Sequence, residues 1–496
     1  MSELRTNVLH GQVLGHEMQP EHRREVSSAG RLPVFDRRRT GILLHLGSLD
    51  AALGHGGRAF IDWLVEGGFS VWQILPTGPT RSDRSPYFAT SDFAGNPTFV
   101  DPEEQPDTES AEYAEFLNSA RWWLEDYALF EVLSGLYPGT DWRSWPVDLR
   151  DRQPTALRRV ANSFAAELEG VKRGQFAFFA QWRRLREYAH SRGVRLFGDM
   201  PFYLGVHSAE TWANRTEFDL DAEGRAAAVS GLPPDCYSSV GQVWGHPLYD
   251  WTAMRRNRFA YWRARVSAQL RRVDLLRIDH FQAFAAHWAV PAGTSDASRG
   301  QWRQTPGFDL LRVLREEFGE LPLATEDLGY FTKEAVVLRK LFGLPGMRVL
   351  QFAYDGSRSN PHLPAHHQAD DIVYTATHDN DTTMGWYRKL DSRTRRRINR
   401  LRTLTGPLPE TLIHEAISSV GRLAIIPMQD ILGLGSEARL NTPGTVFGDN
   451  WRWRLSAYDL TAERARSWHA INKQYGRICA TDARTEGGCT ASSPQC

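Results

Sequence analysis

The amino-acid sequence predicts an α/β protein whose strands and helices form an eight-stranded (β/α)8 TIM barrel. Eight short apolar runs follow one another along the chain, and each ends in glycine, proline or polar residues. A continuous apolar run is typical of a strand buried on both faces, as the strands of a parallel sheet are. Segments with a helical apolar period separate the runs. Eight runs in this alternation are what a parallel barrel requires.

The runs supply the predicted strands in chain order. They are GILLHL from Gly41, SVWQIL from Ser70, GVRLFGD ending at Asp199, VDLLRID ending at Asp279, LPLATED ending at Asp327, MRVLQF from Met347, DIVYTATHD ending at Asp379 and LAIIPMQD ending at Asp430. The helix before the third run shows the expected periodicity, with four apolar side chains on one face: Phe178, Trp182, Leu185 and Ala189. Gly193 is expected to end this helix and allow the turn into the strand.

The spacing of the runs suggests three parts of the chain. Residues 1–38 are polar and unpatterned and are predicted to form an arm, while residues 39–476 are predicted to form the catalytic barrel. Two long gaps, at about 76–193 and 200–271, predict inserted helical or loop subdomains on the rim at the carboxyl ends of the strands. Residues 477–496 are small, polar and glycine-rich, and are predicted to be a disordered tail.

Composition narrows the class of function. Lys+Arg and Asp+Glu are both 59 in 496 residues, so neither nucleic acid nor an anionic membrane is an expected partner. A secretory signal pattern and an apolar run of membrane-spanning length are both absent from the sequence, and four cysteines are too few for a disulfide scaffold. We therefore expect a cytoplasmic protein. Its 17 Trp, 15 Tyr and 24 Phe would serve a large core or a surface that stacks on sugar rings, and composition does not separate the two.

Four acidic residues stand at or next to the ends of four different runs: Asp199, Asp279, Glu326 and Asp379. In barrels of this type the chemistry takes place at the carboxyl ends of the strands. Any one of these acids could instead cap a helix or form a structural ion pair. Four of them on strands that converge on one mouth predict an active site.

The segment LLRIDHF places a cation and an anion on one face of a strand, because residues two apart point the same way. We expect Arg277 to lower the pKa of Asp279 and to keep it a carboxylate, suited to act as a nucleophile or to stabilise a cation. Glu326 follows apolar residues and has no adjoining cation, so its pKa is expected to be raised. Retaining glycosidic-bond chemistry requires two carboxyls in such opposed environments, although two-carboxylate sites are not unique to sugars.

A set of motifs, in order along the chain, resembles that of the amylomaltases, bacterial 4-α-glucanotransferases of the α-amylase superfamily. The likeness runs from about Gly41 to Leu455 and includes SPY, AGNP, GDMPFY, LPPDCYSSVGQVWGHPLYDW, RIDHF, ATEDLG, THDNDTT, QDILGLGSEARLN and NWRWRL. It implies a catalytic barrel with inserted subdomains and without a C-terminal β-sandwich domain. It also implies an α-1,4-gluco-oligosaccharide donor and a sugar acceptor, with no cofactor and no metal, in a monomer or homodimer.

The resemblance assigns roles residue by residue. Asp279 would be the nucleophile, Glu326 the general acid/base, and Asp379 the carboxylate that stabilises the oxocarbenium-like transition state. The residues implied to bind substrate are Tyr87, Asp199, Asp235, Gln242, Trp244, Arg277, His280 and His378. Among these, Asp235, Gln242 and Trp244 would belong to a lid over the donor glucan.

The sequence departs from the amylomaltase pattern around this set. The departing positions are Leu46, Gly47, Asp50, Ser82, His207, His246, Gln282, Ala283, His287 and Thr305. With the catalytic set intact and the rim altered, an altered donor or acceptor preference is expected. Three alternatives stay open: an α-glucan hydrolase on the same barrel, a non-catalytic sugar-binding protein, and a metal-dependent enzyme using Asp379 and Asp381.

Overall fold

The computed structural model describes residues 32–234, 239–402, 404–445 and 448–478. Its strands are β1 Arg39–Leu43, β2 Val71–Gln73, β3 Arg195–Met200, β4 Ala228–Leu232, β5 Gln242–Pro247, β6 Leu275–Ile278, β7 Ala286–Pro291, β8 Gln301–Gln304, β9 Leu323–Thr325, β10 Met347–Val349, β11 Ile372–Tyr374 and β12 Leu423–Pro427. Its α-helices are α1 His55–Glu66, α2 Ala111–Leu136, α3 Val147–Arg150, α4 Pro154–Ser163, α5 Ala165–Ser191, α6 Ala209–Ala213, α7 Trp251–Arg256, α8 Ala260–Arg272, α9 Gly307–Phe318, α10 Lys333–Leu341, α11 Thr383–Lys389, α12 Ser392–Leu401, α13 Glu410–Ser418, α14 Met428–Ile431 and α15 Ala462–Gln474.

Eight of the strands form one parallel sheet in the order β10-β11-β12-β1-β2-β3-β6-β9. These are the eight predicted runs, each beside its neighbour in chain order, so the predicted (β/α)8 barrel is confirmed. The two edges of the sheet also approach one another. The main-chain N–H of Thr325, at the end of β9, donates a hydrogen bond to the carbonyl of Pro345 just before β10, at 2.9 Å.

Both faces of the barrel strands are buried, which explains why the runs are continuously apolar. The side chains that fill the interior come from every strand and include Leu43, Val71, Phe197, Leu275, Ala324, Val349, Tyr374 and Ile425. Alternate residues face the surrounding helices, among them Ile42, Trp72, Leu196, Leu276, Leu323, Val373 and Ile426. At Gly41 a Cβ atom would lie 2.7 Å from Val71 Cβ, so this interior position has no room for a side chain.

The inserted segments build two structures on the barrel. Between β2 and β3, helices α2 to α5 form a helical subdomain, whose core contains Trp142 and Trp145 together with Trp212 of α6. The predicted helix before β3 is the second half of α5, and Gly193 follows it with φ of 74°. A φ of this sign favours glycine and lets the chain turn back toward the barrel.

The second structure is a four-stranded antiparallel sheet in the order β5-β4-β7-β8. Strands β4 and β5 come from the expected insertion at 200–271. Strands β7 and β8 come from residues 286–304, between β6 and β9, where the sequence analysis predicted no insertion. We refer to these four strands as the small sheet.

The packed chain begins at Leu32, inside the segment predicted to be an arm. Val34 and Phe35 lie in a short 3₁₀ helix and are buried, while residues 1–31 lie outside the described ranges. Residues 479–496 of the predicted tail also lie outside them. After β12, the described residues form helices and irregular segments. Within the described ranges no helix is long and apolar enough to cross a membrane.

Arg477 joins the end of the described chain to the amino-terminal face of the barrel. Its side chain is fully buried, with a relative exposure of 0%. Its guanidinium donates hydrogen bonds to six main-chain carbonyls, those of Arg39, Ala416, Ile417, Ser419, Gly421 and Arg422. These carbonyls lie near the starts of β1 and β12, so Arg477 fastens α15 beneath the barrel.

Replacing Arg477 by alanine should leave these buried carbonyls without their donor. We expect the free energy of unfolding to fall by about 3 kcal/mol, because each unsatisfied buried polar group costs desolvation energy. Chemical denaturation would measure the change. Arg466→Ala is the matched control, because Arg466 lies on α15 with 69% of its side chain exposed. Equal stability of the Arg477→Ala and Arg466→Ala variants would contradict this role.

Candidate active site

One buried arginine joins two of the predicted acids at the mouth of the barrel. Arg277 on β6 lies opposite Asp199 on β3 in the strand register. Its Nη1 donates to both carboxylate oxygens of Asp199, at 2.8 and 2.7 Å, and its Nη2 donates to Oδ1 of Asp279 at 2.8 Å. The side chain of Arg277 is 4% exposed and that of Asp199 is fully buried. The guanidinium therefore fixes both carboxylates relative to the sheet.

The two carboxyls with the proposed chemistry lie on neighbouring strands. Strands β6 and β9 pair with Ile278 opposite Thr325, so the next residues, Asp279 and Glu326, stand beside one another. The main-chain N–H of Glu326 donates to the carbonyl of Ile278 at 3.0 Å, which continues the ladder. Paired strands are about 4.8 Å apart, so both carboxyls border the same small volume. The side chain of Asp279 is 29% exposed and reaches the opening.

Glu326 is held by two main-chain donors. Its Oε2 accepts from the N–H of His280 at 3.0 Å, and its Oε1 accepts from the N–H of Leu328 at 2.8 Å. Burial raises the pKa of Glu326 to about 8; Arg277 acts to lower it and Asp279 to raise it further. The pKa of Glu326 is therefore raised, as expected from the sequence, and Glu326 is mainly protonated at pH 7.

For Asp279 the expected direction of the pKa shift was wrong. Burial raises the pKa of Asp279 to about 6, and the carboxylates of Asp199 and Asp379 raise it too, against the lowering effect of Arg277. A single cation shared between two acids does not offset burial together with two neighbouring carboxylates. The pKa of Asp279 still lies below that of Glu326, so near pH 7 Asp279 is mainly a carboxylate while Glu326 keeps its proton.

Tyr87 and His378 extend the group of contacts around Asp199 across the mouth of the barrel. The hydroxyl of Tyr87 donates to Oδ2 of Asp199 at 2.7 Å and lies 2.7 Å from Nε2 of His378. The Tyr87 ring is parallel to the His378 ring, with 5.3 Å between centroids and 10° between planes. Nε2 of His378 lies 3.4 Å from Oδ2 of Asp379. These contacts bring Asp379 into the same group as Asp199.

Two residues that contact Asp379 were missed by the sequence analysis. Nδ2 of Asn441 donates to Oδ1 of Asp379 at 2.6 Å, and Nη2 of Arg439 donates to the Asp379 carbonyl at 2.6 Å. Both lie at the end of the QDILGLGSEARLN segment after β12. Asn441 is 62 positions from Asp379 in sequence, so only the position of this segment at the end of the last strand could have suggested the contact.

The predicted lid residues lie on the small sheet. Trp244 on β5 donates from Nε1 to Oε1 of Gln242 at 3.1 Å. Its ring meets the His280 ring edge-on, at 4.8 Å and 87°. Within the described part of the chain, Nε2 of His280 is buried without a hydrogen-bond partner. Asp235, also predicted to bind substrate, lies outside the described residues.

Several departures from the amylomaltase pattern are internal packing positions. Gln282, His246 and His287 are 1%, 7% and 4% exposed. Gln282 accepts from the N–H of Thr332 at 2.8 Å, and Nδ1 of His287 lies 2.9 Å from the Thr305 hydroxyl. His246 contacts the rings of Phe88 and Tyr203. These three departures from the pattern therefore lie at buried positions that support the rim segments.

Asp381, weighed above as a metal ligand, is held by its own partners. Its Oδ2 accepts from Nζ of Lys389 at 2.6 Å and from the hydroxyl of Ser436 at 2.7 Å. Its side chain is only 7% exposed. The ion pair and the hydrogen bond make Asp381 a link between α11 and the segment after β12.

Comparisons with known proteins agree with the resemblance seen in the sequence. The model of the glycoside hydrolase 77 family, described as 4-alpha-glucanotransferase, matches residues 44–108 and 103–461. The 4-alpha-glucanotransferase of Thermus thermophilus is 39% identical over 494 residues, covering 88% of this chain and 99% of that protein. The chloroplastic/amyloplastic 4-alpha-glucanotransferase of Arabidopsis thaliana is 38% identical over 505 residues, covering 90% of this chain and 88% of that protein.

The fold is similar to that of a solved amylomaltase. The amylomaltase from Streptococcus agalactiae in complex with acarbose matches with a TM-score of 0.85 and 29% sequence identity, covering 89% of this chain and 100% of that chain. The likeness therefore spans the barrel and its insertions.

The difference between the two central carboxyls can be measured by infrared difference spectroscopy during a pH titration. Because burial raises both pKa values, we expect Asp279 to ionise around pH 6 and Glu326 around pH 8. Burial also raises the pKa of Glu210 to about 8, so two carboxyls contribute to the protonated-carboxyl band lost between about pH 7 and 9. The Glu326 part of that band should be missing from Glu326→Gln and present in Asp279→Asn, while the Glu210 part remains in both variants. Loss of every protonated-carboxyl band below about pH 5 would contradict these environments.

Proposed function

We propose a double-displacement mechanism for this chain, which belongs to the 4-alpha-glucanotransferase family, glycoside hydrolase family 77. Its activity is the transfer of α-1,4-glucan segments between gluco-oligosaccharides. The roles of the individual residues are inferred from their contacts. The observation that carries the mechanism is the pair of neighbouring carboxyls, with Asp279 the stronger acid and Glu326 the weaker.

In the first step, a carboxylate oxygen of Asp279 attacks the anomeric carbon of the donor. The bond from that carbon to the glycosidic oxygen breaks, and Glu326 gives its proton to the departing oxygen. The shortened glucan leaves with a new hydroxyl group, and the transferred segment is covalently bound to Asp279. The raised pKa of Glu326 supports this role, because the carboxyl carries a proton near pH 7.

In the second step, the 4-hydroxyl of an acceptor sugar replaces the departed glucan. Glu326, now a carboxylate, removes the hydroxyl proton while the acceptor oxygen attacks the anomeric carbon and the bond to Asp279 breaks. Two inversions restore the original α configuration, and Glu326 regains its proton. Glu326 can serve in both steps because it lies beside Asp279, at the end of the neighbouring strand.

The remaining residues are proposed to hold the reacting sugar. Arg277 positions Asp279 and Asp199, while Tyr87, His378 and Asp199 would bind hydroxyls of the ring. Asp379, oriented by Asn441, would stabilise the positive charge that develops on the ring in the transition state. The lid strand β5, with Gln242 and Trp244, would cover the donor and reduce access of water. Asp235 is proposed to act with this lid.

An altered preference for donor or acceptor is proposed to arise at the rim. Gln282, His246 and His287 support rim segments, so their replacement would change the position of the loops that contact the substrate. Hydrolysis on the same barrel is the alternative outcome, since water could replace the acceptor in the second step. A cytoplasmic location and a monomeric or homodimeric state stay predictions.

Incubation with maltotriose, without added cofactor, tests the transfer. We expect a ladder of longer α-1,4-glucans together with glucose and maltose, because the intermediate on Asp279 is passed to a second sugar. Chromatography of the products would detect it. Asp279→Ala should abolish the ladder, whereas Asp219→Asn, at a rim residue that is 49% exposed, should leave it unchanged. Accumulation of glucose and maltose alone would identify a hydrolase.

A further inference from the structure

A row of three aromatic rings crosses the rim from the small sheet to the loop after β9. Trp288 on β7 lies opposite Trp302 on β8, with ring centroids 5.2 Å apart and planes at 67°. Tyr330, in the loop after β9, stacks on Trp302 with centroids 5.3 Å apart and planes at 20°. Tyr330 ends the row and is 51% exposed. One flat face of its ring therefore rests on Trp302 while much of the side chain is open to solvent.

The inner end of this row is fixed. Nε1 of Trp288 donates to the carbonyl of Ala297 at 2.8 Å. A Cβ atom at Gly300 would collide with the Trp288 indole, so glycine allows the chain to pass closely over this ring. A ring held in this way loses little further conformational freedom when a ligand stacks on the row.

The outer end is fixed by the loop that carries Glu326. The N–H of Leu328 donates to Glu326, and the N–H of Thr332 donates to Oε1 of Gln282 at 2.8 Å. Tyr330 lies between these two anchors. It is four residues from Glu326, so their Cα atoms are at most about 14 Å apart. Tyr330 is thus an anchored, exposed ring close to the proposed acid/base.

The order of the barrel strands decides which side of the reaction Tyr330 serves. Strands β3, β6 and β9 carry Asp199, Asp279 and Glu326 in that order. Two of the groups proposed to bind the transferred ring, Asp199 on β3 and Tyr87 after β2, lie on the Asp199 side of Asp279, and His378 and Asp379, after β11, reach them across the mouth. Tyr330 lies on the other side, with Glu326, whose proton goes to the departing glucan and comes from the acceptor. A ligand on Tyr330 would therefore belong to the acceptor side.

The chemistry around the row suits a neutral sugar. Gln304 is exposed and lies two residues from Trp302 on β8, so its amide is on the same face of the strand. Arg303 is on the opposite face and pairs with Asp219 at 3.3 Å. A flat aromatic face beside an uncharged amide favours a ring with one apolar face and hydroxyl groups at its edge.

We propose that Tyr330, stacked on Trp302, binds a glucosyl unit of the acceptor beyond the one that reacts, and so sets a preference for acceptors longer than glucose. The inference rests on the proposed transfer function. Glucose would occupy only the position beside Glu326. Maltotriose would extend from that position to Tyr330 and gain the stacking contact.

Acceptor length tests this directly when the donor is kept constant. With α-maltosyl fluoride as donor at a saturating concentration, we expect Tyr330→Ala to raise the half-saturating concentration of maltotriose roughly tenfold. The maximal rate, and the half-saturating concentration of glucose, should stay within about twofold. Tyr330→Phe and Tyr330→Trp should retain the preference for maltotriose because they keep a flat ring. Tyr458→Ala is the matched control, since Tyr458 is 92% exposed and lies on the 3₁₀ helix Ala457–Asp459.

Two results would overturn the subsite while leaving the transfer function intact. In one, Tyr330→Ala transfers to glucose and maltotriose with unchanged half-saturating concentrations. In the other, both concentrations rise by the same factor, which would indicate a disturbed Glu326 loop. Failure of the unaltered protein to transfer to either sugar would overturn the proposed function and the subsite with it. Equal melting temperatures for the variants would exclude loss of folding as the cause.

Discussion

The buried guanidinium of Arg277 is the constraint on which the rest of the site depends. A cation inside a barrel is tolerated only when carboxylates and hydrogen bonds compensate for its lost hydration. Asp199 supplies that compensation from the adjacent strand, and Asp279 shares it. With Asp199 fixed, the Tyr87 hydroxyl has a partner, and His378 stacks on the Tyr87 ring. The contacts that order the side chains at the mouth of the barrel thus extend outward from Arg277.

The same arrangement explains how two carboxyls on neighbouring strands come to differ. Burial raises the pKa of both carboxyls, but only Asp279 receives a direct hydrogen bond from Arg277. Glu326 has two main-chain donors and no cation in contact among the described residues, and its pKa is raised further. Arg277 lowers the pKa of both carboxyls, but it donates a hydrogen bond to Asp279, and this contact favours the carboxylate form of Asp279.

The barrel and its central acids were predictable because their signals are local in sequence. Strands buried on both faces are written as continuous apolar runs, and Asp199, Asp279 and Glu326 stand directly at their ends. The contact of Asn441 with Asp379 was not predictable in this way, since it joins distant segments. Strand β7 is mostly buried, but His287 interrupts its apolar residues, and β8 is mostly polar and partly exposed, so neither strand is written as a continuous apolar run. The rise in the pKa of Asp279 depends on burial and on two acids from other strands, neither of which is visible beside it in sequence.

The roles of the two carboxyls are tested most directly by Glu326→Gln with an α-glucosyl fluoride, whose leaving group departs without an acid. We expect Asp279 still to attack, while transfer to the acceptor is slowed on the order of a hundred- to ten-thousandfold because no base remains. Mass spectrometry of the quenched protein should then find one glucosyl unit on the peptide that contains Asp279. A glucosyl unit on Asp379 or Asp199 instead, or no adduct together with equal loss of activity toward the fluoride and natural glucans, would contradict the assignment of the two carboxyls.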